Sequence, residues 1–134
     1  MVRRWLRTVS IDMRAIASCI DGPEPSPEAA AYHCQQAAEK LVKARLVHRG
    51  IDPPKLHSIA ALIALLPADD AFASVFKPFV KFTAFGYAYR YPSPLAFEPE
   101  EDPPSDADLR AWLAELTDAE AKLRAALLPP PARE

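Results

Sequence analysis

The chain has 134 residues, enough for one domain with a real core and too few for two ordinary ones. Hydrophobic residues make up 50% and charged residues 25%, and 16 Lys and Arg against 18 Asp and Glu leave a formal charge of -2. That balance excludes a wholly basic nucleic-acid coat, though not a local basic face.

The 15 prolines fall in clusters and there are only 3 glycines, which excludes collagen and flexible linkers. Between the clusters the chain is rich in Ala and Leu, the strongest helix formers, and poor in alternating β-branched residues. The expected class is all-α. No apolar run approaches the roughly 20 residues of a membrane helix. The basic start Arg3-Arg4 is followed by Asp12 and Arg14 rather than an apolar stretch, so no secretory signal is expected. Cys19 and Cys34 make neither a disulfide scaffold nor a zinc site and read as reduced thiols of a cytoplasmic protein.

The first helix is expected over Val2 to Ile20. Val2, Trp5, Leu6, Val9, Met13, Ile16 and Ile20 recur at three and four, and Gly22 supplies the stop. Asp12 sits at the edge of this stripe and needs a partner inside. Ser26-Pro27 opens the second helix, with Ser as N-cap, and Gly50 follows its end. Its apolar stripe of Ala30, Cys34, Ala37, Ala38, Leu41 and Ala44 suits a close-packed central helix. Tyr32, Gln36, Glu39, Lys43 and Val47 lie on another face.

The rigid joint Pro53-Pro54 leads through His57-Ser58 to a short helix, Ile59 to Leu66. Asp69 or Asp70 caps the next segment, an aromatic series from Phe72 to Tyr91 with a kink or break at Pro78 and a second helix beginning near Lys77. Gly86, inside that segment, suggests close backbone approach. The series exceeds what one face of a small bundle must bury, so spare aromatic surface is expected at an interface. Residues 92–104 read as an acidic Pro-rich loop. Ser105 caps the last helix, whose core face is Leu109, Trp112, Leu113, Leu116, Leu123 and Leu127. Residues 129–134 read as a frayed tail. The expected architecture is an antiparallel up-and-down bundle of four long helices and one short one, a single domain over 1–128.

Three places can carry chemistry. Gln36, Glu39 and Lys43 form either a solvated face with an i,i+4 pair or a carboxylate and an ammonium set in a groove. His57 is either a structural hydrogen-bonder or, as a functional residue, a donor to phosphate or a general acid. Arg90, between Tyr89 and Tyr91, is either a cation at a helix C-terminus or a guanidinium ready to grip phosphate or stack on a base. His33 and His48 read as surface positions. No histidine pair has metal spacing, and no metal or other cofactor is expected. A phosphate-binding glycine loop and a nucleophile elbow are absent from the sequence, and Cys34 on an apolar stripe reads as an inert buried thiol.

The segment Tyr32-His33-Cys34-Gln35-Gln36-Ala37-Ala38-Glu39-Lys40-Leu41-Val42-Lys43-Ala44 resembles the central helix of HEPN domains, nucleotide-binding domains of higher eukaryotes and prokaryotes. Trp5 and Asp12, the joint Gly50…Pro53-Pro54…His57-Ser58-Ile59, and Arg90-Tyr91-Pro92 match the family in order. The resemblance implies a helical bundle, often homodimeric, in prokaryotes often working beside a small nucleotidyltransferase and in other cases an RNase toxin. It places functional weight on Gln36, Glu39, Lys43, His57 and Arg90, with Asp12 in support. The RNase branch resembles an Arg followed a few residues later by His. Here Arg90 has no histidine downstream, and a proline joint separates Arg49 from His57. The expectation is therefore a non-catalytic module that binds a nucleotide or phosphate, pairs with a nucleotidyltransferase, or both. An RNase with a divergent site and a purely homodimeric interaction module are the alternatives. RNA is a less favoured ligand and no membrane partner is expected.

Overall fold

The computed structural model describes residues 1–86 and 102–127. Within them the chain is all helical: α1 (Val2–Asp21), α2 (Pro27–His48), α3 (Ile59–Ile63), α4 (Phe72–Phe76), a 3-10 helix (Lys77–Gly86) and α5 (Asp106–Leu127). No strand occurs among the described residues. The aromatic segment breaks at Lys77, as Pro78 requires. The continuation is 3-10 rather than α, so the fourth long element is a composite of α4 and the 3-10 helix.

Each helix boundary has a chemical cause. The Ser26 hydroxyl accepts from the Ala29 N–H at 3.3 Å, with Pro27 in the first turn, and Ser58 and Ser105 cap α3 and α5 alike. Asp70 Oδ1 accepts the Phe72 N–H at 2.9 Å and starts α4. Gly22 donates to the Ser18 carbonyl, and a Cβ there would collide with that same oxygen. Gly50 turns the chain with φ +76°, in the left-handed region that disfavours other residues. Gly86 is different. An added Cβ would meet Gln35 at 3.6 Å, an ordinary contact, so the close approach expected from the sequence is not what keeps glycine there.

Helix α2 touches every other element and forms the centre of the bundle, packing most extensively on α1. Its small-residue stripe is fully buried, with Ala30, Cys34, Ala37, Ala38, Leu41 and Ala44 all at 0% exposure, so neighbouring backbones approach closely. Leu6, Val9, Met13, Ile16 and Ile20 of α1 pack on it, as do Leu109, Leu116 and Leu123 of α5. Phe76, Phe79 and Phe82 complete the core, with Phe82 edge-on to Trp112 at 5.3 Å. Phe72 and Phe85 also pack against this core. Of the series from Phe72 to Tyr91 expected to leave spare aromatic surface, the described phenylalanines are buried (Phe76, Phe79, Phe82) or half-buried (Phe72, Phe85). The tyrosines that end the series lie outside the described residues, as do most of the 92–104 loop and the 129–134 tail.

Candidate functional site

Gln35, Gln36, Glu39 and Lys43 occupy successive turns of α2 on the side covered by the start of α1 and by the joint before α3. Glu39 and Lys43 are 4% and 8% exposed, so the face is not solvated. Lys43 Nζ donates to Glu39 Oε1 at 2.9 Å, and Gln35 Nε2 donates to Oε2 at 2.9 Å. Gln36 Nε2 in turn donates to Gln35 Oε1 at 2.7 Å. His57 Nδ1 meets Glu39 Oε1 at 2.9 Å from the far side of the Pro53-Pro54 joint. Trp5 of α1 closes the group, with Lys43 Nζ 5.7 Å from the centre of its ring.

Burial pushes the Glu39 carboxyl up, but hydrogen bonds from Lys43, Gln35 and His57 outweigh it and hold the group below its ordinary value. Glu39 is therefore an acceptor, and the imidazole presents a proton to it from Nδ1. The members differ sharply in access. Lys43 and Gln35 are enclosed, whereas the His57 side chain is 83% exposed. The ring is braced at one nitrogen and leaves Nε2 on its outer edge.

Asp12 finds its partners on the neighbouring stripe of α2. It is 4% exposed and accepts from Lys40 Nζ at 2.6 Å and pairs with His33 Nδ1 at 2.9 Å. His33 is consequently not the free surface residue expected; its side chain is 30% exposed because the ring reaches inward to a buried carboxylate. His48 is exposed, bonded to Arg45 at 2.8 Å, and held below the ordinary imidazole range by desolvation and by Arg45 and Arg49. A third buried carboxylate, Asp70, takes Arg45 and Arg49 at 3.1 and 3.3 Å. Cys34 is enclosed, and burial pushes its thiol up to about 12, the setting of an inert structural thiol.

The structure thus unites four of the positions singled out in the sequence: Lys43 and His57 bond to Glu39 directly, and Gln36 reaches it through Gln35. It sets Asp12 in a separate pair on the adjoining stripe. Tyr89, Arg90 and Tyr91 lie outside the described residues. Sequence reasoning missed Gln35, Lys40 and His33 as ligands of the buried acids. The i,i+4 spacing of Gln35 to Glu39 is the signal for the first. His33 and Lys40, seven residues apart, share a face two turns long, wide enough to meet one acid from another helix. No group of three His, Cys, Asp or Glu side chains suited to a metal ion occurs among the described residues. No described helix is long and apolar enough to cross a membrane.

The HEPN domain family model matches residues 2–102, three-quarters of the chain and all of this polar cluster. No curated protein and no solved structure matches it.

Proposed function

The chain belongs to the HEPN domain family, and from that premise we propose that it is a non-catalytic module whose His57, braced on buried Glu39, contacts the phosphate of a nucleotide. One contrast carries the reading: within a single hydrogen-bonded cluster, Glu39 and Lys43 are closed to solvent while His57 is open. When the ring is protonated, Nε2–H is a charge-assisted donor for a phosphate oxygen, and the adjacent carboxylate balances its charge. Lys43 acts through Glu39 rather than by touching ligand. General acid–base cleavage needs two groups in reach of the reacting atoms. Among the described residues, this cluster exposes one titratable group, which favours binding over chemistry.

Titration of wild type and His57→Ala with ATP and AMP, read by calorimetry, tests it. Saturable binding that weakens about tenfold in the variant, the loss expected for one charge-assisted bond, supports the reading. Equal binding by both, or none by either, rejects it. The exposure of His57 means the variant should keep its fold, which a thermal melt checks.

A separate observation favours a second role, docking of a small nucleotidyltransferase. Ala60, Ile63, Ala64, Ala73 and Val80 line an apolar groove of about 380 Å³ with Lys77 at its edge. Leu65 and Val80 stand exposed nearby in the chain. Co-purification with a nucleotidyltransferase encoded beside it, lost in Ile63→Asp with Val80→Asp, is the expected outcome. Retention of the complex in that variant would place the contact elsewhere.

A further inference from the structure

Helix α1 carries a second charged surface, roughly half a turn away from the side that presents Trp5 and Asp12 to α2. Arg3, Arg4, Arg7 and Arg14 are all exposed and fall within an arc of about 100°. The row from Arg3 to Arg14 is about 16 Å long. None of the four guanidiniums takes part in an ion pair among the described residues, unlike Arg45, Arg49, Arg110 and Arg124. The two acids of α1 are engaged elsewhere: Asp12 with Lys40 and His33, Asp21 with Arg110. Ile11, 53% exposed, lies in the middle of the row.

The arrangement works against the helix that carries it. Helices α2 and α5 open with acids, Glu28 and Asp106 with Asp108, and with serine caps. Helix α1 has neither an acid in its first turn nor a side-chain cap. Arg3, Arg4 and Arg7 crowd the positive end of its macrodipole, where cations are destabilising. Cations that take part in no ion pair among the described residues, and of which those in the first turn oppose their own helix, are left available to a partner outside it.

We propose that this face of α1 binds the phosphodiester backbone of a single-stranded nucleic acid. All the cations of α1 are arginines, whose planar fork pairs bidentately with phosphate. Helices α2 and α5 pack beside α1 and leave its arginine face on the outside. A flexible strand can lie along the row, with exposed Ile11 offering apolar surface to a base. With a formal charge of -2 overall, the chain holds no general attraction for a polyanion, so binding rests on local basic surface such as this row. Binding is therefore indifferent to sequence and steeply dependent on salt. The proposal does not rest on His57.

The test is fluorescence anisotropy with labelled oligouridine of about 20 nucleotides, across a salt series. The proteins are wild type, the triple variant Arg3→Ala, Arg7→Ala, Arg14→Ala, and a control losing equal charge, Lys55→Ala, Lys77→Ala, Lys122→Ala. Wild type should bind at low salt. The arginine variant should lose at least about tenfold in affinity, and the slope of log K against log salt should fall by about 2, near 0.7 per lost phosphate contact. The lysine control should bind like wild type. The arginine variant should melt no lower than wild type, because all three positions are exposed and without an ion pair among the described residues, and Arg3→Ala removes a cation from the positive end of the dipole. Absence of binding at low salt, or equal loss in the lysine control, overturns the proposal. So does arginine-dependent binding to phosphatidylserine vesicles or polyglutamate without binding to oligouridine. The triple arginine variant should bind ATP and AMP as wild type does, so this result and the nucleotide titration fail independently.

Discussion

Glu39 shows how a single side chain can be costly and useful at once. A carboxylate enclosed this far is tolerable only because both oxygens are used: Lys43 and His57 at Oε1, Gln35 at Oε2. Removing one partner leaves charge without compensation. Lys43→Met should therefore destabilise the fold by about 3 kcal/mol, the scale for breaking a buried pair. Adding Glu39→Gln should restore much of that loss, since the residual charge goes as well; urea denaturation of the two variants checks this. Acid should act on the same groups. Glu39 and Asp70 are both held below the ordinary carboxylate range, against the pull of burial, by their hydrogen-bond and cationic partners. The unfolded chain thus takes up these protons first. The stability they supply is complete above about pH 5 and is lost as pH falls through the unfolded range near 4 toward their lower folded values. Denaturation midpoints measured from neutral pH to pH 3 should fall, and Asp70→Asn should flatten the fall.

At the scale of elements, α2 is placed by its two faces. The alanine stripe lets five neighbours pack onto one helix, and the polar stripe is then covered instead of solvated. The joints that aim those neighbours rest on a few residues. Ser26→Ala should cost about 1 kcal/mol through the lost cap on α2. Gly22→Ala should cost more than Gly50→Ala. The first drives a Cβ into the Ser18 carbonyl, while the second meets open space and suffers only the strain of its left-handed φ, about 1 kcal/mol. Thermal melts of the three variants rank these effects. The joint through Pro53-Pro54 matters for the site as well, because it carries His57 back over Glu39. Without that return the imidazole and the carboxylate, eighteen residues apart, would not meet.

For the whole molecule, one core made of α1, α2, α5 and the aromatic segment holds both charged surfaces in place. Phe82 lies at its centre, in contact with Phe79, Phe85 and Trp112. Phe82→Ala should cost about 3–5 kcal/mol in urea denaturation. The same core hides Cys34, so its thiol should react with Ellman's reagent only as fast as the chain opens, while half-buried Cys19 reacts sooner. A kinetic trace with one early and one late thiol is expected. Equal rates would show that the packing around Cys34 is loose.

Much of this organisation was written in the sequence. Periodicity, proline breaks and serine caps act over a few residues, so the helices and the central role of α2 could be read locally. Asp12 stood out because an acid at the edge of an apolar stripe must have a partner. The partners themselves, His33 and Lys40, could not be read, since which stripe of α2 faces α1 is set by how two helices pack. For the same reason spacing alone could not tell a solvated Glu39–Lys43 pair from an enclosed one. Burial is a property of what covers a face, and Trp5, His57 and the joint before α3 come from distant parts of the chain. The sequence by itself determined the elements and the residue types available for binding. Only the tertiary structure decided that Glu39 is buried among its partners, that His57 meets it from an exposed position, and that the arginines of α1 take part in no ion pair among the described residues, because exposure and charge pairing exist only once helices meet.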